Sequence, residues 1–219
     1  MDTEFLAGTP LFRGAAPGEV QTMLDCLGAQ VRRYPKGAAV LRAGETTLCL
    51  GVVLTGSVCV ENDDFWGNKS ILDRIGPGQV FGETYACAGV PLLVSAVAAE
   101  AAEILFLNVS RLLTVCSSAC AHHARLVKNL LAISAQKNLT LSRRMFHTAP
   151  KTIRGRLLSY LSDGAAQSGG GAFTAPYNRQ QLADYLGVDR SALSHELSKM
   201  RREGILEVEG NRFRLLRRL

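Results

Sequence analysis

The stretch from Asn178 to Gly204, NRQQLADYLGVDRSALSHELSKMRREG, limits what this chain can fold into more than any other. Asn178 is an N-cap residue, and Gln181 three positions on completes a capping box before Leu182, Tyr185 and Leu186 recur at helical spacing. Gly187 stands where a left-handed residue ends a helix. Asp189 is placed to cap a second helix whose Leu193, Leu197 and Met200 form an i, i+4, i+7 apolar stripe. Two such helices around a glycine turn make a helix-turn-helix, a pattern also found in helical proteins that bind no nucleic acid. After Gly204, the segments Ile205 to Val208 and Arg212 to Leu215 alternate about Gly210-Asn211, a hairpin that turns the unit into a winged helix. Charge points the same way: residues 150–219 hold 12 Lys and Arg against 7 Asp and Glu, whereas residues 1–149 hold 13 against 12. A basic excess confined to the last third favours a polyanion as partner.

On the outward face of the second helix, Arg190, Ser191, Ser194 and His195 are side chains of the kind that reach base edges in the major groove. Arg179, Lys199 and Arg212, with Arg201 and Arg202, are placed for phosphates or as solvated charge. Upstream, Thr152 to Leu161 reads as an amphipathic helix with Ile153, Leu157, Leu158 and Leu161 inward, and residues 164–173 (GAAQSGGGAF) read as a flexible loop.

A length of 219 residues allows two domains, and 47% hydrophobic content is ample for packed cores. Met1 to Pro10 has neither the basic start nor the apolar run of a signal peptide, and no stretch approaches the ~20 apolar residues of a membrane span. A cytoplasmic protein with its six cysteines reduced is expected. Residues 3–28 are helix-prone, with Leu24 and Leu27 marking an amphipathic turn or two. From Ala29 the pattern changes to short apolar runs, Val31, Val40, Leu48 to Val52, Val58 and Val60, broken by Gly37, Gly44, Gly56, Gly67, Gly76 and Gly78. Leu93 to Val97 and Ile104 to Leu107 follow, which together predict a β sandwich or jelly roll.

The run from Tyr34 to Glu83, with its turn glycines and its closing Phe81-Gly82-Glu83, resembles the cyclic-nucleotide-binding jelly roll. The winged helix resembles the C-terminal half of the same regulators, so nearly the whole chain resembles the CRP/FNR family of bacterial transcription regulators. The resemblance implies an α+β chain of three parts. Residues 1–109 form an effector-sensing jelly roll, residues 110–148 a dimerisation helix, and residues 149–219 a winged helix-turn-helix. It further implies a homodimer on double-stranded DNA with a near-palindromic site, an unidentified small-molecule effector, and contact with RNA polymerase, since most relatives activate transcription.

Ser110 to Phe146 is long enough for about ten helical turns. Val127, Leu131, Ser134, Asn138 and Leu141 recur on it at alternating three- and four-residue steps, a heptad seam suited to a partner helix. Leu126, Leu130 and Ile133 make a second face that could pack on the helix's own sandwich. Two recognition helices one DNA turn apart, about 34 Å, would match a two-fold site.

The resemblance also places an effector pocket at Gly82, Glu83, Leu92, Leu93 and Val94. In cyclic-AMP-binding members a Glu after Phe-Gly meets the ribose, and an Arg-Ser or Arg-Thr pair some ten residues later holds the cyclic phosphate. Glu83 fits the first role, or serves as a structural turn residue. Leu93 stands where the Arg belongs. Burying a compact anion without a cationic partner is costly, so cyclic AMP and cyclic GMP are poor candidates. Iron–sulfur sensing needs several cysteines near the N-terminus, and Cys26 stands alone there. Haem sensing needs axial ligands. Cys87, Cys116, Cys120, His122 and His123 are the candidates, without specific spacing, and Tyr85 and Trp66 are apolar neighbours to consider. By family position Arg190 goes to a phosphate or the adjacent base pair, Ser191 replaces a Glu, and His195 replaces a guanine-reading Arg. No nucleophile–base pair, metal motif or phosphate loop suggests an enzyme, and a ligand-binding module without DNA function is disfavoured by the winged helix.

Overall fold

The computed structural model describes residues 1–63, 69–113 and 121–216. Two compact units divide the chain, residues 1–135 and 136–219.

The first unit opens with α1 (Thr3–Ala7) and α2 (Pro17–Leu27). Pro17 takes the first helical position of α2, Glu19 Oε2 accepts a hydrogen bond from the Ala16 N–H at 2.8 Å, and Gly28 closes the helix at φ +62. The strands are β1 (Gln30–Tyr34), β2 (Ala39–Leu41), β3 (Cys49–Thr55), β4 (Val58–Asp63), β5 (Lys69–Ile75), β6 (Val80–Phe81), β7 (Ser95–Ala98) and β8 (Ala102–Asn108). They build two antiparallel four-stranded sheets, ordered β1-β8-β3-β6 and β2-β7-β4-β5, the jelly roll expected from the glycine spacing. The short α3 (Glu83–Ala88) lies between β6 and β7, and α4 (Val109–Leu113) follows β8.

The central residues of β3 (Leu50 to Val53) and β8 (Ile104 to Leu107) form continuous apolar runs because both of their faces are covered. Val53, Ile104 and Phe106 face the second sheet's Val58, Ile75, Ala96 and Ala98. On the opposite face, Leu50, Val52, Leu105 and Leu107 pack under Leu6, Phe12, Leu24, Leu27 and Leu112 of the helices. Gly51 is required between the sheets, since a Cβ there would stand 2.5 Å from the Phe81 ring.

The long helix expected over Ser110–Phe146 is described in two pieces, α4 and α5 (Ala121–Thr148), with residues 114–120 outside the described set. Ala149 and Pro150 end α5, as proline disfavours helical geometry in the residue before it. Leu126 and Leu130 are buried against α1, α2 and α4, with Ile133 packed beside them. Asn129 Nδ2 donates to the carbonyls of Leu11 (2.9 Å) and Arg13 (3.0 Å), and Arg125 meets Glu19 at 2.8 Å. One face of α5 thus belongs to the first unit's core.

The second unit contains α6 (Ile153–Gln167), β9 (Phe173–Thr174), α7 (Arg179–Leu186), α8 (Arg190–Arg202), β10 (Leu206–Glu209) and β11 (Arg212–Leu215). Thr152 caps α6 through Gly155 N–H at 3.0 Å. The flexible loop expected at 164–173 is corrected: α6 continues through Gln167, and Phe173 pairs with Phe213 in a sheet ordered β10-β11-β9. Gly164 explains this. Its missing Cβ is the space that the Phe173 ring fills against the helix, so a glycine that reads as a loop signal is a packing position.

Candidate nucleic-acid interface

The helix-turn-helix forms as its residues dictate. Asn178 Oδ1 accepts from Gln181 N–H and Gln181 Oε1 from Asn178 N–H, each at 2.9 Å, and Gly187 turns the chain at φ +63. Asp189 Oδ1 caps α8 by accepting from Ser191 N–H (2.8 Å) and Ala192 N–H (2.9 Å). These bonds, the Ser191 hydroxyl foremost, hold the Asp189 carboxyl below its ordinary pKa. Leu193, Leu197 and Met200 are buried together with Leu182, Leu186, Leu157, Leu161 and Phe213. That leaves Arg190, Ser191, His195 and Lys199 exposed on the other face of α8, with Ser194 half-buried.

The wing is a two-residue hairpin with Glu209 opposite Arg212 and Gly210 at φ +58. Arg179 ties it to α7. Its Nη2 donates to the Gly210 carbonyl at 2.9 Å while its guanidinium lies over the Phe213 ring, 5.6 Å from the centroid. Arg179, Ser194, Ser198, Arg201 and Gly210 border a surface depression of about 270 Å³ between α8 and the wing. The guanidinium groups of Arg179 and Arg201 suit a phosphate oxygen, whereas the Ser194 and Ser198 hydroxyls already donate to the Arg190 and Ser194 carbonyls.

The structure revises two expectations at this surface. The Ser191 hydroxyl, a candidate base contact, donates to Asp189 Oδ1 at 2.5 Å and so belongs to the cap. The Ser194 hydroxyl donates to the Arg190 carbonyl at 2.9 Å, leaving only its lone pairs to offer. Of the expected base-reading set, Arg190 and His195 have free outward side chains among the described residues.

Part of the basic excess is also internal. Arg154 of α6 binds two carboxylates, Glu196 of α8 at 2.5 Å and Glu203 at the C-cap of α8 through paired bonds of 2.8 and 3.0 Å. This fork holds Glu203 below the usual carboxylate range. Arg156 donates to the carbonyls of Leu186 and Gly187 (2.9 Å each) and Pro150 (2.9 Å), and Arg144 to those of Tyr185 and Asp184 (3.2 Å each). The C-terminal carbonyls of α7, which a helix leaves without partners, are thereby satisfied by guanidinium groups. No spacing rule marks these arginines in the sequence.

In the first unit, Gly82 adopts φ +74 before α3, and Glu83 is buried in the first turn of that helix. Leu92 is buried, Val94 half-buried, and Leu93 is 77% exposed. A cavity of about 430 Å³ in this unit is lined by other residues, from α2, β1, β2, β3, β8 and α4 and the turns beside them. Among the haem candidates, Cys87 is exposed on α3, with its thiol pKa raised by burial and by Glu83. His123 Nε2 lies 3.7 Å from Cys26 Sγ. Neither Cys87 nor His123 lines the cavity. Cys116, Cys120, Trp66 and the His122 side chain lie outside the described residues. Cys26, Cys49, Cys59 and Cys87 are free thiols, and no helix of the described residues is long and apolar enough to cross a membrane.

A two-sheet jelly roll followed by a winged helix with an outward recognition face defines a regulator that joins a jelly-roll domain to a DNA-binding domain. Residues 31–119 match the cyclic nucleotide-binding domain, and residues 155–218 the Crp-like helix-turn-helix domain. The cyclic AMP receptor protein of Thermus thermophilus is 29% identical over 207 residues, 93% of this chain and 90% of that relative. The CRP-like cAMP-activated global transcriptional regulator of Mycobacterium tuberculosis is 24% identical over 212 residues, covering 94% and 92%. The crystal structure of the Thermus thermophilus catabolite activator protein superposes with a TM-score of 0.54 at 27% identity, covering 94% of this chain and 93% of that one. The chain belongs to the CRP/FNR family: it is a DNA-binding transcription regulator and not an enzyme.

Proposed function

We propose that the protein acts as a cytoplasmic homodimer on a near-palindromic DNA site, activates transcription through RNA polymerase, and answers to a small molecule other than cyclic AMP. The observation that carries the dimer is the second face of α5. While Leu126 and Leu130 are buried in the first unit, Leu131 is 69% and Leu141 63% exposed, with Val127 at the same seam. Apolar side chains in heptad register on a long helix are covered when a second copy packs against them, and Ser134 and Asn138 then fix the register. The activating role rests on the relatives, one of which is named an activator. The departure from cyclic AMP rests on Leu93, an exposed apolar side chain where nucleotide-binding members carry an arginine.

Analytical ultracentrifugation of the protein and of Leu131→Asp tests the dimer. The wild type sediments as a dimer, while the variant shifts to monomer and loses affinity for a two-fold DNA site. A monomeric wild type overturns the reading. Titration calorimetry with cyclic AMP gives no binding heat, and saturable binding at Glu83 would refute the effector assignment.

A further inference from the structure

β1 carries an anomaly. It is the edge strand of its sheet and pairs with β8 so that Gln30 stands opposite Phe106 and Arg32 opposite Ile104. Opposed residues of an antiparallel pair share a face, so Gln30 and Arg32 point to the side on which Phe106 and Ile104 form the core between the sheets. A guanidinium on a core-facing position must be paired or wet. Arg32 is wet, because the sheets part there around the 430 Å³ cavity.

The cavity has an apolar wall and a cationic rim. Leu27, Val40, Leu41 and Phe106 supply the wall. On the rim, Arg32 stacks 5.4 Å from the centroid of the Phe106 ring and donates to Gln30 Oε1 at 3.1 Å. Arg111 stands opposite the left-handed Gly28, whose missing Cβ gives its guanidinium room. Asn108 Oδ1 accepts from Arg111 N–H at 3.1 Å, which leaves the Asn108 amide group to donate. Neither arginine has a carboxylate partner among the described residues, and no Asp or Glu lines the cavity. None of Gly82, Glu83, Leu92, Leu93 or Val94 lines it either.

We propose that this cavity at the open end of the jelly roll binds a small organic anion, its apolar body against Phe106 and Leu41 and its carboxylate or phosphate between Arg32 and Arg111. Two unpaired guanidinium groups over an apolar floor match that chemistry, as ligand sites combine apolar walls with a few charged groups that fix orientation. The inference gives a place and a ligand class to the effector-controlled reading above, and its test reads occupancy without DNA.

Cys49 lines the cavity and reports on it. Burial pushes its thiol pKa up, with Arg32 opposing, so labelling with iodoacetamide is run at alkaline pH and followed by peptide mass spectrometry. Phenyl phosphate and benzoate, at on the order of 1 mM, slow Cys49 alkylation several-fold, while exposed Cys26 and Cys87 react unchanged. The neutral analogue benzyl alcohol gives no protection. Arg32→Gln and Arg111→Gln each weaken protection about tenfold, and Arg33→Gln, on the opposite face of β1, leaves it intact. Equal alkylation with and without both anions overturns the proposal, as does protection that survives both arginine variants. Protection of Cys49 with no change in DNA affinity upholds the site and refutes the effector-controlled reading instead.

Discussion

His147 Nδ1 lies 2.9 Å from the Tyr185 hydroxyl, and the imidazole is 7% exposed within the second unit. Tyr160 packs edge-on against it at 5.5 Å, and Asp163 Oδ2 stands 3.6 Å from its Nε2. Burial, with a smaller contribution from Arg143, holds the His147 pKa below its ordinary value, and Asp163 opposes this only in part. The same enclosure pushes Tyr160 up to about 12, so the tyrosines stay neutral near pH 7. A depressed folded-state pKa means that the unfolded chain takes up the proton first. The contribution of His147 to stability is therefore complete above about pH 6.5 and is lost as pH falls below it. Thermal melts at pH 7.5 and 5.5 should show a drop that is smaller by a few °C in His147→Gln. An identical drop in both proteins would disprove the assignment.

Gly164→Ala sets two effects against each other. In an open helix the substitution would add about 1 kcal/mol of stability, since alanine is the better helix former. At this position the new methyl group would overlap the Phe173 ring, and overpacking of this kind costs about 1–3 kcal/mol. The second effect wins, so the variant melts lower. Gly164→Ala combined with Phe173→Leu recovers part of the loss. A Gly164→Ala protein as stable as the wild type would mean that α6 and β9 are not packed as described.

The contrast between Gly164 and Gly187 shows where sequence reading reaches and where it stops. Gly187, Asn178, Gln181 and Asp189 act through neighbours within a few residues, and all of them could be placed from local spacing alone. Gly164 acts through Phe173, across a turn that carries no periodic signal, and it looked like a linker glycine. Arg144 and Arg156 were unreadable for the same reason, because their partners are backbone carbonyls some thirty to forty residues away. Counting charge showed that the last third is basic, but not that Arg154 spends its charge on Glu196 and Glu203. The jelly roll was legible from short apolar runs between glycines. The cavity behind Arg32 depends on the register of β1 with β8, which only the fold supplies.

Asp189→Ala should weaken DNA binding without altering sequence preference. The carboxylate accepts from two backbone N–H groups at the start of α8, and losing such a cap costs about 1 kcal/mol of helix stability. Ser191→Ala, which removes a hydroxyl already turned toward Asp189, should leave the preferred DNA sequence unchanged. Selection of binding sites from a randomised pool checks both variants. A new preferred base for Ser191→Ala would show that the hydroxyl leaves the cap when DNA is bound.

His195 and Lys199 lie one helical turn apart on the exposed side of α8, and they should fail in different ways. His195, exposed on the outward face beyond the cap, offers a planar hydrogen-bonding edge of the kind that meets a base. Its loss in His195→Ala should reduce discrimination at one position of each half-site, by somewhat less than the about 1–3 kcal/mol of a bidentate arginine contact. Lys199, nearer the C-terminal end, carries charge without a planar hydrogen-bonding edge. Lys199→Ala should therefore weaken all sequences nearly equally and lower the slope of log affinity against log salt by about one. Competition binding with matched and mismatched duplexes at several salt concentrations separates the two. Identical profiles for both variants would leave base reading to Arg190 alone and would remove His195 from the specificity-determining set.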